Sequence, residues 1–249
     1  MSPRTTLAVA GRVLTQLRRD RRTLAMLLVL PCLLITLLWW MFDGTATGPG
    51  GGVFDRVGPA LLAMFPFIVM FLVTSVTTLR ERSSGTLERL LAMPMGKLDF
   101  LGGYALAFGA VAAVQSVLAV GLAVGLLDLD VRGPVWLLTV VAVADAVLGT
   151  ALGLFVSAFA QTEFQAVQFM PLLVIPQILL CGLFVARGAL PGLLAGISDF
   201  LPLSYAVDAM QTLTRTPATG DVWRDLAVVA GYAVALLGLG AATLRRRTP

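Results

Sequence analysis

The residues of this chain that could do chemistry are few and unevenly placed. The densest group is Arg80-Glu81-Arg82-Ser83-Ser84-Gly85-Thr86-Leu87-Glu88-Arg89-Leu90-Leu91-Ala92-Met93-Pro94, mixed charge beside an apolar edge of Leu87, Leu90 and Leu91. Gly85 permits a sharp turn, Thr86 can cap a helix, Glu88 sits well in a first turn, and Pro94 ends the element. A short amphipathic helix of this kind is built to fit a groove on another protein and pass force to whatever it is anchored to. A capped loop that only orients its neighbours fits the same composition. Asp145 stands alone in a long apolar run, where an ionisable group is costly enough to mark a functional position. It serves either transport chemistry or a hydrogen bond from a neutral carboxyl to a neighbouring helix. Glu163 lies in the short turn between two apolar runs, and Gln165, Gln168 and Gln177 place polar groups along the run that follows.

Other chemistry is excluded. Histidine is absent, which removes Ser-His and Cys-His nucleophiles, His-Glu zinc sites and imidazole proton relays. With a single mid-membrane Asp, an intramembrane enzyme built on paired carboxylates cannot be assembled either. Cys32 and Cys181 sit inside apolar runs and read as small buried hydrophobes.

The elements that position these groups follow from hydropathy. Of 249 residues, 58% are hydrophobic and 13% charged, and the mean hydropathy is +0.90, well outside the range of soluble domains. A spanning helix needs about 20 apolar residues. Runs at 24–42, 57–79, 100–127, 135–160, 164–185 and 226–244 meet or approach that length, so the fold expected is an all-α polytopic membrane protein with six transmembrane helices in one domain, 1–249. Pro191, Asp199, Pro202 and Asp208 break the stretch 189–214 into short helices at, or dipping into, one membrane face. Gly44 to Gly52 reads as an exposed loop.

Thirteen of the eighteen Lys and Arg residues fall on the side that holds both termini and the 80–97 segment. Both termini are therefore expected in the cytoplasm. The net charge of +4 then reflects topology and anionic lipid, with no nucleic-acid partner required. The first span is expected to remain as an anchor, not to be removed as a signal peptide. Ahead of it, residues 5–22 read as an interfacial helix, with Leu7, Ala10, Val13, Leu14 and Leu17 on one face and Arg12, Thr15, Gln16 and Arg19 on the other. Gly149/Gly153 and Gly121/Gly125 have the small-x-x-x-small spacing of close helix packing. Met64, Phe65, Phe67, Met70 and Phe71 read first as lipid-facing bulk.

RERSSGTLERLLAMPM at Arg80 to Met95 resembles the cytoplasmic segment of type-2 ATP-binding-cassette exporter permeases. GLFVARGALPGLLAGISDFLPLSYAVDAMQ at Gly182 to Gln211 resembles that family's signature after the fifth helix, with Gln211 where many members have Arg. Ala186-Arg187-Gly188 stands in place of a more acidic, aromatic turn. The resemblance implies a permease subunit of an ATP-driven exporter, non-catalytic itself, in the plasma (inner) membrane. In it, 81–94 would be the coupling helix and 189–214 the extracellular short helices. Glu81, Arg82, Gly85, Thr86, Leu87, Glu88, Arg89 and Glu163 would face the ATPase, and a path between paired chains would draw on Phe67, Phe71, Gln177 and Asp145. No cofactor is expected in this chain. ATP and Mg would be bound by two copies of a partner ATPase, beneath this chain and a second permease copy or homologue. The sequence agrees in having no Gly-x-x-x-x-Gly-Lys-Ser/Thr loop, since Met95-Gly96-Lys97-Leu98 lacks the first glycine and the hydroxyl. The substrate implied is a hydrophobic or amphipathic compound of the drug or antibiotic type. A lipid or lipid-linked glycan, and a proton-coupled transporter using Asp145, are the alternatives.

Overall fold

The computed structural model describes residues 2–42, 52–83 and 96–243. The Gly-rich loop, the greater part of the expected coupling helix (Gly85, Thr86, Leu87, Glu88 and Arg89 included) and Arg245 to Arg247 lie outside the described residues. Within them the chain is all helical: α1 (Pro3–Arg19), α2 (Arg21–Phe42), α3 (Val53–Ser83), α4 (Lys97–Gly125), α5 (Val135–Ser157), α6 (Glu163–Leu180), α7 (Gly192–Asp199), α8 (Pro202–Arg215) and α9 (Gly220–Thr243), with a 3-10 turn at Arg187–Ala189. Six helices, α2 to α6 and α9, are long and apolar enough to cross a membrane. We call the side holding the N-terminus and the α3–α4 connection the near face, and the opposite side the far face.

The spine of the molecule is the contact of α3 with α5, the most extensive in the chain. It is close because two glycines permit it. A Cβ added at Gly149 would lie 2.4 Å from the carbonyl oxygen of Phe67, and one at Gly153 would lie 2.6 Å from that of Phe71. Backbone thus packs on backbone, and Phe67 and Phe71 are wholly buried in the main core. Gly121 and Gly125 share the spacing but would meet nothing within 4 Å, so they form no such seam. The reading of the α3 Met and Phe residues as lipid-facing bulk is corrected: Met64, Phe67, Met70 and Phe71 are buried, because α3 is ringed by α2, α4, α5, α6 and α8.

At 31 residues, α3 is about 46 Å long, more than a hydrocarbon core requires. Pro31 interrupts α2 and removes the amide that would have bonded the carbonyl of Leu27. The buried Gln115 of α4 replaces it, its Nε2 donating to that carbonyl at 2.7 Å. A polar side chain inside the apolar bundle thereby satisfies a backbone group orphaned on its neighbour.

The span that starts at Glu163 ends short of expectation for a visible reason. The apolar run to 185 stops being helix at Leu180, because Gly182 takes φ +96 and turns the chain. The 189–214 stretch forms α7 and α8, bent by 91°, with α8 packed against α9, α3 and α5. Trp136 and Trp223, at the far-face starts of α5 and α9, lie 6.2 Å apart, where an aromatic belt belongs.

Candidate functional site

At the near face, α1 lies against α4. Gly103 makes this possible, since a Cβ there would come within 2.6 Å of Val9. The amide of Ser2 and the hydroxyl of Thr6 both donate to Asp99 at the start of α4, at 2.9 and 3.2 Å, and Asp99 also accepts from the amide of Gly96. The inward stripe of α1 is Thr6, Val9, Ala10, Val13 and Leu17. This corrects the expected apolar face: Leu7 is 64% exposed, because the contact that decides the stripe is with α4.

Arg12, expected on the outer polar face, reaches inward. Its Nη2 donates to Oε2 of Glu81 at 3.0 Å and to the hydroxyl of Tyr104 at 2.9 Å. Glu81 is only 7% exposed and Tyr104 is buried. One turn of α3 therefore binds α1 and α4 together through a charged joint. The neighbouring residue turns the other way, as successive residues on a helix must. Arg80 makes a bidentate pair with Glu163 at the start of α6, both bonds at 2.9 Å. That pair is well exposed, with side chains 65% and 49% accessible, and exposed pairs contribute about 0–1 kcal/mol.

Beside the joint lies a recess of about 290 Å³, with Gln16, Asp20, Thr77, Arg80, Glu81 and Tyr104 among its lining. Asp20 links α1 to α2: the amide and hydroxyl of Thr23 donate to its carboxylate at 3.1 and 2.6 Å and hold it below the usual carboxylate range. Thr162 caps α6 by accepting from the amide of Gln165 at 3.1 Å.

Of the expected ATPase-facing residues, the structure brings Glu81, on α3 and paired with Arg12, and Glu163, paired with Arg80 of α3, to the near face. Arg82 continues α3, and the others lie outside the described residues. The four expected path residues are enclosed: Phe67, Phe71 and Asp145 have no exposed surface, and Gln177 is 4% exposed. Neither carboxyl oxygen of Asp145 has a hydrogen-bond partner among the described residues. Gln177 joins α6 to α8, its Oε1 accepting from the amide of Leu203 at 3.4 Å while its Nε2 donates to the carbonyl of Leu173 at 2.9 Å. Gln168 is exposed. No group of three or more metal-ligating side chains occurs among the described residues.

Sequence reasoning missed Asp99, Tyr104 and the inward turn of Arg12. Tyr104 carried one signal, a lone phenol beside the Gly102-Gly103 pair in an otherwise apolar run. Nothing in the sequence marks its partner.

Comparison with known proteins gives a consistent result. Residues 4–213 match the family described as ABC-2 type transporter. The chain is 23% identical over 203 residues to ABC transporter G family member 20 of Dictyostelium discoideum, covering 80% of this chain and 28% of that protein. It is 27% identical over 171 residues to the probable multidrug ABC transporter permease YbhR of Escherichia coli, covering 68% of this chain and 46% of the relative. To the inner membrane transport permease YhhJ of Escherichia coli it is 25% identical over 147 residues, covering 59% and 39%. The chain thus spans less than half the length of each of these relatives.

Proposed function

This chain belongs to the ABC-2 type transporter family, and from that premise we propose that it is the membrane permease of an ATP-driven exporter for hydrophobic or amphipathic compounds. It acts with a separate ATPase and a second permease chain, in the plasma (inner) membrane with both termini cytoplasmic. The near face is then the cytoplasmic one, in keeping with its excess of Lys and Arg. ATP and Mg belong to the partner ATPase.

The observation that carries the reading is the charged joint at the end of α3. Residues 81–94 are the coupling segment, and the helix that leads into them is tied by Glu81 to α1 and α4 and by Arg80 to α6. A push on that segment is therefore delivered to three other helices at once. Transport is alternating access: closure of the ATPases drives the coupling segments, α3 carries its partners with it, and the path opens to the far face. The recess beside Glu81 and Tyr104 receives a side chain of the ATPase. Glu88, Thr86 and Gly85 shape the contact, with Arg82, Leu87 and Arg89 around it. Phe67, Phe71, Gln177 and Asp145 reach the substrate only if the helices that enclose them part. The exported compound is of the drug or antibiotic type, as the word multidrug in the name of one relative favours.

The driving force tests this reading. In everted vesicles from cells expressing the chain, ethidium uptake above the chain-free background should require ATP and survive a protonophore. Uptake indifferent to ATP and abolished by the protonophore would contradict it and turn attention to Asp145 as a proton-coupling group.

A further inference from the structure

The far-face end of α6 is held in an unusual way. α8 packs broadly against α9, α3 and α5, whereas α6 touches α7 and α8 only lightly. Beside the packing of Val174 and Cys181 into the main core, what joins them is polar. Gly182 turns the chain at the end of α6, and the following turn brings Arg187 back between the two arms of the bent pair. Its Nε donates to Oγ of Ser198 at 3.0 Å, its Nη1 to Asp208 and its Nη2 to Asp199. The guanidinium also lies 5.0 Å from the ring centre of Tyr205. All three nitrogens are thus used, and the side chain is only 17% exposed.

Around it the same seam continues. Ser198 donates to the carbonyl of Leu180, the last residue of α6, at 2.8 Å, and lies 3.2 Å from the hydroxyl of Ser204. The hydroxyl of Tyr205 donates to the carbonyl of Asp199 at 2.8 Å. Gln177 closes the inner end. Cys181, the chain neighbour of Gly182, where an added Cβ would lie 3.5 Å from Cγ of Arg187, is wholly buried. Helices joined by apolar packing separate only with loss of the whole contact, but a seam of directional polar bonds parts when its central donor lets go.

We propose that Arg187 is the latch of the outer gate, the positioning residue whose guanidinium holds the turn that follows α6 to the α7–α8 pair and whose release from Asp208 opens the path at the far face. This rests on the permease reading for its place in a transport cycle. The seam itself is a property of the fold. Arg187 is also where the sequence departs from the acidic, aromatic turn of the family it resembles.

The chain carries its own reporter. With Cys32 replaced by Ala, a membrane-impermeant maleimide applied to the outside of intact cells should modify Cys181 slowly in the otherwise native chain. Modification should be at least tenfold faster in Arg187→Ala and in Asp208→Asn, and should slow again when Arg187→Asp is combined with Asp208→Arg. A chain with Cys32 retained and Cys181→Ala reports general unfolding, and its labelling should not change with Arg187→Ala. Unchanged protection of Cys181 in Arg187→Ala, or acceleration seen only when the reagent is applied from the near face of everted vesicles, would overturn the proposal. If Arg187→Ala does not accumulate in the membrane, the charge exchange decides: protection restored supports the latch, and protection lost overturns it. The labelling needs no ATP, so it stands apart from whether an ATPase partner is found.

Discussion

A chain carrying Gly149→Val is expected to be lost from the membrane as a folded species. Even the Cβ of alanine would sit 2.4 Å from the carbonyl oxygen of Phe67 and 3.1 Å from its Cα and carbonyl carbon. Those are backbone atoms of a helix, with no rotamer to yield, so α3 and α5 must move apart along the whole seam that buries Phe67 and Phe71. Overpacking of a tight core costs about 1–3 kcal/mol, and more where backbone must shift. Because dispersion and not water drives helix association inside the membrane, a seam held open has little to replace it. Gly153→Val should behave alike, with 2.6 Å to the carbonyl of Phe71. Gly121→Val, with nothing within 4 Å, is the control and should change stability by no more than about 1 kcal/mol. Size-exclusion of the solubilised fluorescent fusion, with heating, reads this directly. Wild-type recovery and melting for Gly149→Val would show that the close α3–α5 contact is not what organises the fold.

The second large effect is expected at Glu81. Removing its carboxylate leaves a guanidinium against a buried phenol with no counter-charge. Hydrogen bonds to charged groups contribute about 1.5–3 kcal/mol, and with the Arg12 side chain 36% exposed, solvent screening brings that to about 1–2 kcal/mol. The functional loss should exceed what this stability change implies, because the joint is where motion of α3 reaches α1 and α4. Glu81→Ala and Arg12→Ala should each lower substrate-stimulated ATP hydrolysis by the co-purified complex at least tenfold, with the chain still inserted. The double variant should be no worse than either single one, the signature of residues acting as a pair. Glu163→Gln, which breaks only the exposed pair with Arg80, should lower it less than threefold. Additive losses in the double variant would show that Arg12 and Glu81 act separately.

The spans were legible because a bilayer imposes a length and an apolar composition that the chain must declare. What the sequence could not declare was which apolar surface meets lipid and which meets another helix, since hydrocarbon and leucine are alike to it. Hence Phe67 and Phe71 read as bulk or as path and are found in the helix seam. Gly149 and Gly121 likewise had the same spacing signal and opposite surroundings. The inward face of α1 escaped for a related reason: its stripe is set by Gly103 and Asp99, nearly a hundred residues away, and not by its own periodicity. Arg187 was visible only as a departure from a pattern. Its meaning depends on α7 and α8 folding back so that Ser198, Asp199 and Asp208 surround it.

Whether the proposed permease borrows an ATPase through the segment that α3 leads into is read by affinity purification of the tagged chain from its native cells in mild detergent, with ATP hydrolysis measured on what is recovered. A stoichiometric ATP-hydrolysing subunit should be recovered, lost when residues 85–91 are scrambled and retained when Gly121 is replaced. Recovery of a correctly inserted chain with no ATPase, or with an ATPase that stays bound after the scrambling, would contradict the proposal.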